Sequence, residues 1–404
     1  MKSLISLLLI VVTISFNTNA QVATQWRGKN SSGIYTVEKL LAQWPVEGPR
    51  VIWSFDKLGQ GYSSPAFANN KIYVNGMVGD QAVLFILDMN GKLLQQFKYG
   101  KEFVESYPGV RSTPTIVGDM AYLLTGHGVL TCLNLKTGKP AWQKDLINDF
   151  GGSNITWGYT ESIVVDGDVL YCTPGGKKNN VMALNRLTGE TVWSCPGVGE
   201  VSAYCTPLLV KLPSRQLLVT HTSGHVIGVD ASTGKLLWNF AHPNQWSVHP
   251  NTPIYQDGGL FVFSGYGQGG EKLKLNEDGS SVTKEWEIKS FGSQKGGAVL
   301  IDGYLYGSGD NDRSWQCIEW KTGKRYYGST DLAKGVVIAA NNKLIGYSEK
   351  GELFLADAVP FSFKINSKTK VSIGTEQHWA HPVVFNGVLY VRHGNTLIAY
   401  QISE

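Results

Sequence analysis

The sequence predicts an all-β fold: an eight-bladed β-propeller of four-stranded antiparallel sheets, closed by pairing of its N- and C-terminal strands. Three observations predict it. Glycine supplies 47 of 404 residues and tryptophan 12, a mixture of turn formers and strand-favouring aromatics that helical proteins seldom carry. A Trp-bearing hairpin recurs, with Trp142, Trp193, Trp238 and Trp286 separated by 51, 45 and 48 residues, about the length of one propeller blade. The two ends of the chain hold complementary pieces of a single blade.

The chain opens on a targeting pattern. Lys2 precedes an apolar run from Leu4 to Val12, and a more polar stretch ends Asn17-Thr18-Asn19-Ala20. Charged start, apolar middle and small-residue end describe a secretory signal peptide over residues 1–20, cleaved near Ala20. A buried N-terminal strand or an uncleaved anchor is the competing reading. No cysteine lies near that site, so a lipid anchor is not expected, and no later segment reaches the 18 apolar residues of a membrane span. The mature protein is therefore expected in the periplasm or secreted. Residues 21–49 are expected to form an N-terminal strap over the surface of the propeller, which occupies residues 50–404.

Each propeller unit begins with a short apolar strand and ends with a Thr-Gly-Lys type turn leading into a Trp strand. The clearest copies are Asn134–Trp142, Asn185–Trp193 and Asp230–Trp238. Degenerate copies run through Asp88–Lys92, through Asp278-Gly279 before Trp286, and through Glu319–Lys324, where Tyr327 replaces Trp. The Asp or Asn can bond the loop N–H groups, and Gly takes the positive φ of a short loop. The Trp is large enough to pack between neighbouring sheets. Inner strands start at Ser64-Pro65, Thr113-Pro114, Glu161-Ser162, Thr206-Pro207, Thr252-Pro253, Gly297-Ala298, Val336-Val337 and His381-Pro382, which makes eight. Seven blades plus an appendage is the competing count. The last unit stops after three strands, and Arg50–Phe55 has the Trp-bearing fourth-strand pattern with no partner before it. Joining the two leaves no raw sheet edge.

A net charge of +4 with no basic block or acidic tail does not indicate a nucleic-acid partner, and a monomer is expected. Cys132, Cys172 and Cys317 lie in apolar runs and read as buried small hydrophobes. Cys195 and Cys205 flank one loop and could pair in an oxidising compartment. An odd number of cysteines without C-x-x-C provides no zinc or haem framework.

The hairpin Gly228–Trp238 resembles the repeat of the pyrroloquinoline-quinone (PQQ) enzymes. The stretches Gln25-Trp26-Arg27-Gly28-Lys29-Asn30, Gly61–Pro65, Trp157–Ser162, Cys172–Gly176 and Trp379–Pro382 are similar to a group of exported PQQ-like propeller repeat proteins of bacteria, related to outer-membrane assembly propellers and polyvinyl-alcohol dehydrogenases. The resemblance implies an eight-bladed quinoprotein-like propeller outside the cytoplasm. For the dehydrogenases it further implies Ca²⁺ held by carboxylates and an amide at the channel mouth, an Asp base, a Trp beneath the planar cofactor, and often a disulfide between adjacent cysteines. This chain has no adjacent cysteines, no C-x-x-C-H and no long roof insertions. It carries Gly292–Gly297 where the close family commonly has a histidine-rich stretch. No cofactor is therefore predicted. PQQ with Ca²⁺ belongs to the alternative, a PQQ-dependent alcohol or sugar dehydrogenase. Asp310-Asn311-Asp312 could bind Ca²⁺ or form a turn. Gly265–Gly270 reads as a β hairpin, and no nucleophile-elbow, HExxH or phosphate-loop motif is present.

In a propeller the residues just before each inner strand converge on one face, where a rigid scaffold holds functional loops. Those positions supply Tyr62, Arg111, Trp157, Tyr159, Glu161, Tyr204, His249, Lys295, Trp379 and His381, with Trp246, Lys334 and His378 beside them. Aromatic faces stack on rings and side chains, and Arg and Lys favour anionic groups. The expected function is an exported binding scaffold that takes a protein segment, a glycan or a small anionic ligand at the channel rim, with no catalytic residues. Competing roles are aromatic wedges between blades, His381 as a strand cap, and Arg111 as a partner of Glu161. A scaffold acting through its blade edges or its strap is a third reading.

Overall fold

A computed structural model describes residues 23–404; the expected signal peptide lies outside the described residues. The chain builds eight sheets in strict up-and-down order. Blade 1 runs Ala66–Ala68, Lys71–Val78, Gln81–Asp88 and Leu93–Lys101. Blade 4 runs Leu208–Lys211, Gln216–His221, His225–Asp230 and Leu236–Ala241, and blade 5 follows as Ile254–Gln256, Gly259–Ser264, Gly269–Leu275 and Val282–Ile288. Blade 8 takes Val383–Phe385, Val388–His393 and Thr396–Gln401 from the C-terminus and Val51–Phe55 from the N-terminus. Trp53 stands opposite Ala399 in that last pairing, so the expected closure is made.

Middle strands such as Gly259–Ser264 are buried along their whole length, because each sheet is covered on both faces by its neighbours. That explains their continuous apolar runs where one-sided sheets would alternate. The outermost strands are largely exposed, as in Leu236–Ala241, where only Trp238 is buried.

The recurrent hairpin works as a lock between blades. Asn134, Asn185 and Asp230 each use Oδ1 to accept two loop N–H groups, two and three residues on, at 2.9–3.1 Å. The Trp of each copy reaches the turn of the next blade. Trp142 Nε1 donates to Arg186 O (2.9 Å), Trp193 to Ala231 O (2.9 Å), Trp238 to Gly279 O (3.2 Å) and Trp286 to Trp320 O (3.1 Å). Trp53 makes the same bond across the seam, to Met89 O at 3.0 Å. The rings of Trp53, Trp142, Trp193 and Trp286 also lie on a turn glycine, whereas Leu212 and Leu217 cover Gly279 beside Trp238. A Cβ on Gly234 would stand 2.7 Å from the Trp193 ring, and φ there is +74°. Gly91 faces Trp53 and Gly189 faces Trp142 in the same way, while Phe97 takes the place of Trp against Gly138.

The strap departs from expectation in its first part. Residues 23–35 enter the central channel, whereas residues 36–49 run over the surface to the outermost strand of the seventh blade, with Val46 fully exposed. Ala23 pairs with Phe67 and the Thr24 carbonyl accepts the Ile116 N–H, so the segment touches the inner strands of blades 1 and 2. Arg27 donates to the carbonyls of Ala298 (2.6 Å) and Val337 (2.9 Å), at the inner strands of the sixth and seventh blades. Ile34–Tyr35 then adds a parallel strand to Gly335–Ala340. One segment reaches four inner strands only from the axis. The physical reason is backbone pairing: inner strands of a propeller are edges, and an extended segment satisfies them. The second part, with Trp44 buried, leads to the closing strand.

All five cysteines are buried and free, so Cys195 and Cys205 do not pair. Asp310 bonds Lys334, and Asp312 accepts from Ser314 and Arg325. Those two carboxylates serve a turn between strands, and the Ca²⁺ reading of that cluster falls because protein donors already occupy its oxygens.

Two substitutions separate the stacking from the turn geometry. Gly118 also has positive φ (+60°), but a Cβ there would meet nothing within 4 Å. Gly118→Ala should cost about 1 kcal/mol from backbone strain alone. Gly234→Ala should cost about 1–3 kcal/mol more through displacement of the Trp193 ring. Urea unfolding of the two variants measures the difference; equal losses would show that the ring contact does not bear on stability.

Candidate functional site

The loops preceding the inner strands enclose a cavity of about 440 Å³ at one mouth of the channel. Of the ten residues expected there, Tyr62, Arg111, Trp157, Tyr204, Lys295, Trp379 and His381 line it. Trp379 is the hub. Its ring centroid lies 5.1 Å from Tyr62 and 4.9 Å from Tyr107, and Lys295 Nζ stands 5.2 Å over it. The Tyr62 hydroxyl donates to Gln377 at 2.7 Å, which fixes the ring's tilt. On another side Trp157 and Tyr204 pack 6.1 Å apart, and Tyr204 adopts φ +71°, rare for a bulky residue. Thr160 Oγ1 donates to the Tyr204 carbonyl at 2.9 Å and holds that conformation.

Three expected residues turn away. Tyr159 is buried, its hydroxyl donating to the carbonyls of Pro174 (2.6 Å) and Ser153 (3.1 Å). Glu161 is buried, accepting the N–H (2.9 Å) and hydroxyl (2.5 Å) of Thr173 rather than pairing with Arg111. His249 is buried and donates to the Ser223 carbonyl at 3.1 Å. The cause is the period of two in extended chain. Thr160 and Ser162 face the cavity, so Glu161 between them faces the blade; Val248 and Pro250 do the same to His249. Of the neighbouring positions, Trp246 is exposed, Lys334 pairs with Asp310, and His378 stacks on His393 at 3.8 Å.

Trp26, Tyr107 and Tyr266 complete the walls without having been expected there. Trp26 comes from the strap, Tyr107 from the loop between the first two blades, and Tyr266 from the turn Gly265–Gly270. The Gln25–Asn30 motif was a signal for the first; only a fold that puts the strap inside the channel gives it a place at the mouth.

The charges at the mouth are partly spoken for. Arg111 donates to the carbonyls of Ser106 (2.7 Å), Tyr107 (2.8 Å) and Gly109 (3.2 Å), with its guanidinium 5.9 Å over the Tyr62 ring. Burial lowers its pKa, against the pull of Glu102. Lys295 is paired with Glu349 at 3.1 Å. His381 sits between Arg27 Nη1 and the Lys295 carbonyl, each at 3.0 Å, and burial followed by the Arg27 charge holds it near 3, so it is neutral. It accepts from Arg27 through Nδ1 and donates through Nε2, which ties the mouth to the strap.

The chain matches the family model described as outer membrane protein assembly factor BamB over residues 33–156 and 87–329. It belongs to this PQQ-like propeller family. Among curated relatives it is 23% identical to BamB of Kangiella koreensis over 222 residues, 53% of this chain and 52% of that one. It is 24% identical to BamB of Yersinia pestis over 296 residues, 69% and 70% of the two. The chain thus spans about half the length of the first of these relatives. Among solved structures, BamB from Moraxella catarrhalis superposes with TM-score 0.63 at 15% identity, covering 87% of this chain and 99% of that one. A europium-containing methanol dehydrogenase superposes with TM-score 0.69 at 12% identity, covering 94% and 91%. At such identities the likeness speaks for the fold alone.

The quinoproteins share the ring of this family, but the mouth here does not fit PQQ with Ca²⁺. A hard divalent ion needs several converging oxygens, carboxylates among them. Among the described residues, no Asp or Glu lines the cavity, and Gln294 is its one side-chain amide. Glu161 faces away, and burial pushes its carboxyl up to about 7. Aromatic rings could stack on a planar quinone, but the metal half of the cofactor finds no donor set.

Glu161 carries a pH prediction. Its folded pKa of about 7 lies above the ordinary 4.5, so between those values the native state holds a proton the unfolded chain releases. Stability therefore falls as pH rises through that window. Glu161→Gln should leave the urea midpoint at pH 4 nearly unchanged and raise it at pH 8, whereas a lowered midpoint at pH 8 would mean that the ionised carboxylate stabilises the fold.

Proposed function

We propose that this protein is an exported, non-catalytic binding propeller that receives an extended protein segment in its aromatic mouth. One observation carries the reading: a cavity walled by Tyr62, Tyr107, Trp157, Tyr204, Trp379 and Trp26, touched by Arg111 and Lys295, with no acid, thiol or paired nucleophile and base on its lining among the described residues. Rigid aromatic anchors in a concave site are what protein interfaces use for their strongest contacts. A protein segment suits it better than a glycan or a small anion. Lys295 is already neutralised by Glu349 and Arg111 is occupied by three carbonyls, which leaves apolar stacking as the main source of affinity. The relatives are described as outer membrane protein assembly factors, a description that accords with protein partners. The signal-like leader supports a location in the periplasm or outside the cell.

A random peptide library panned on the purified chain tests the reading. Enriched peptides should carry aromatic residues, and their affinity should fall about 10-fold or more in Trp379→Ala and Trp157→Ala, with the variants' folds checked by circular dichroism. Lys295→Gln should change affinity much less. Peptides that bind both Trp variants as well as the parent chain would overturn the proposal.

A further inference from the structure

Beneath one wall of the mouth lies a cluster that the binding reading leaves unused. His221 ends the second strand of blade 4, His242 follows its fourth strand, and His249 lies in the connection to blade 5. In an up-and-down blade these three points share one end of the sheet. The rings form a triangle with centroids 5.2–5.7 Å apart, and all three residues are at most 1% exposed. One ring nitrogen from each residue lies within 4.8 Å of the others.

The surroundings hold two of the rings in place. The Glu271 carboxylate accepts from His242 Nδ1 at 2.6 Å, and His242 Nε2 stands 3.1 Å from the Ser264 hydroxyl. The Ser223 carbonyl accepts from His249 Nε2, which leaves His249 Nδ1 with only a 3.5 Å contact from Asn244. His221 is the odd member: neither ring nitrogen has a hydrogen-bond partner among the described residues. A buried imidazole with two unpartnered nitrogens is costly.

We propose that His221, His242 and His249 form a binding site for a divalent transition-metal ion of the zinc class, with Glu271 as the residue that orients His242. Three imidazoles are a nitrogen donor set, which suits Zn²⁺ and its neighbours and not Ca²⁺ or Mg²⁺. A carboxylate behind a ligating histidine is the usual device for setting its tautomer and raising its basicity. Zn–N bonds of about 2.0–2.1 Å place ligand nitrogens roughly 3.4 Å apart, so the widest side of the triangle, at most 4.8 Å, closes by up to about 1.4 Å. An ion would give His221 the partner it lacks. It would also clamp blade 4 to the connection that supplies Val248 and Pro250 to the mouth.

The test uses the full chain, unfolded, stripped with chelator and refolded with Zn²⁺ or Co²⁺. The refolded protein should keep about one Zn²⁺ per chain through gel filtration, show the visible d–d bands of nitrogen-ligated Co²⁺, and melt at a higher temperature than the metal-free protein. His221→Phe keeps the ring's volume and removes the two unpartnered nitrogens. It should be at least as stable as the parent without metal, yet lose the bound ion. Glu271→Gln should weaken Zn²⁺ binding about 10–100-fold. Folded parent chain that retains no metal, retention unchanged in His221→Phe, or displacement by Ca²⁺ would each overturn the proposal. Should His221→Phe fail to fold, the Co²⁺ spectrum of the parent chain decides: bands support the site, and their absence rejects it.

Discussion

The contact between a tryptophan of one blade and the turn glycine of the next sets the geometry of the whole ring. It does two jobs at once. The indole N–H satisfies a turn carbonyl, and the indole face covers a glycine that no other residue could replace without meeting the ring. A sheet held this way has a defined spacing and tilt relative to its neighbour, and the indole bond recurs at five of the eight junctions between blades. The seam uses the same contact, Trp53 on the Asp88–Gly91 turn, although its two partners are joined through the opposite ends of blade 8. Closure is thus the same bond as propagation, with strand pairing added.

Once the ring is closed, its inner strands present backbone edges to the axis, and those edges shape the mouth. The strap pairs with several of them and brings Arg27 into the channel, where its guanidinium meets backbone carbonyls and one neutral histidine. Burial lowers the Arg27 pKa to about 10, so it stays charged at neutral pH with no carboxylate against it. Carbonyl dipoles and the His381 lone pair stand in for an anion. The result is a channel stopped from within, with Trp26 and His381 in edge-to-face contact at the inner side of the cavity. The site is therefore a cup rather than a tunnel.

The mouth and the layer behind it differ in chemistry. Residues on the cavity are aromatic, are uncharged, or have their charge already committed, whereas titratable groups such as Glu161 and His249 sit one residue away in sequence and face the blades. Burial shifts both toward their neutral forms, the carboxyl upward and the imidazole downward. The fold alone does not fix a function, which lies in the groups that the loops present.

Much of the fold was legible in the chain itself. Turn chemistry is local: Asn134, Asn185 and Asp230 cap their own loops, and each glycine allows its own positive φ, so the repeats could be counted and the orphan strand at Trp53 matched to the truncated last unit. The convergence of Tyr62, Arg111, Trp157, Tyr204, Lys295, Trp379 and His381 followed from that count. Tertiary structure alone decided three things. The side on which a residue falls just before a strand depends on local twist and on glycines such as Gly158, so Tyr159, Glu161 and His249 point inward. The strap's position depends on inner-strand edges that exist only in the closed ring. The meeting of His221, His242 and His249 depends on the second and fourth strands of blade 4 ending on one side and on the connection to blade 5 folding back over that end, which no spacing along the chain encodes.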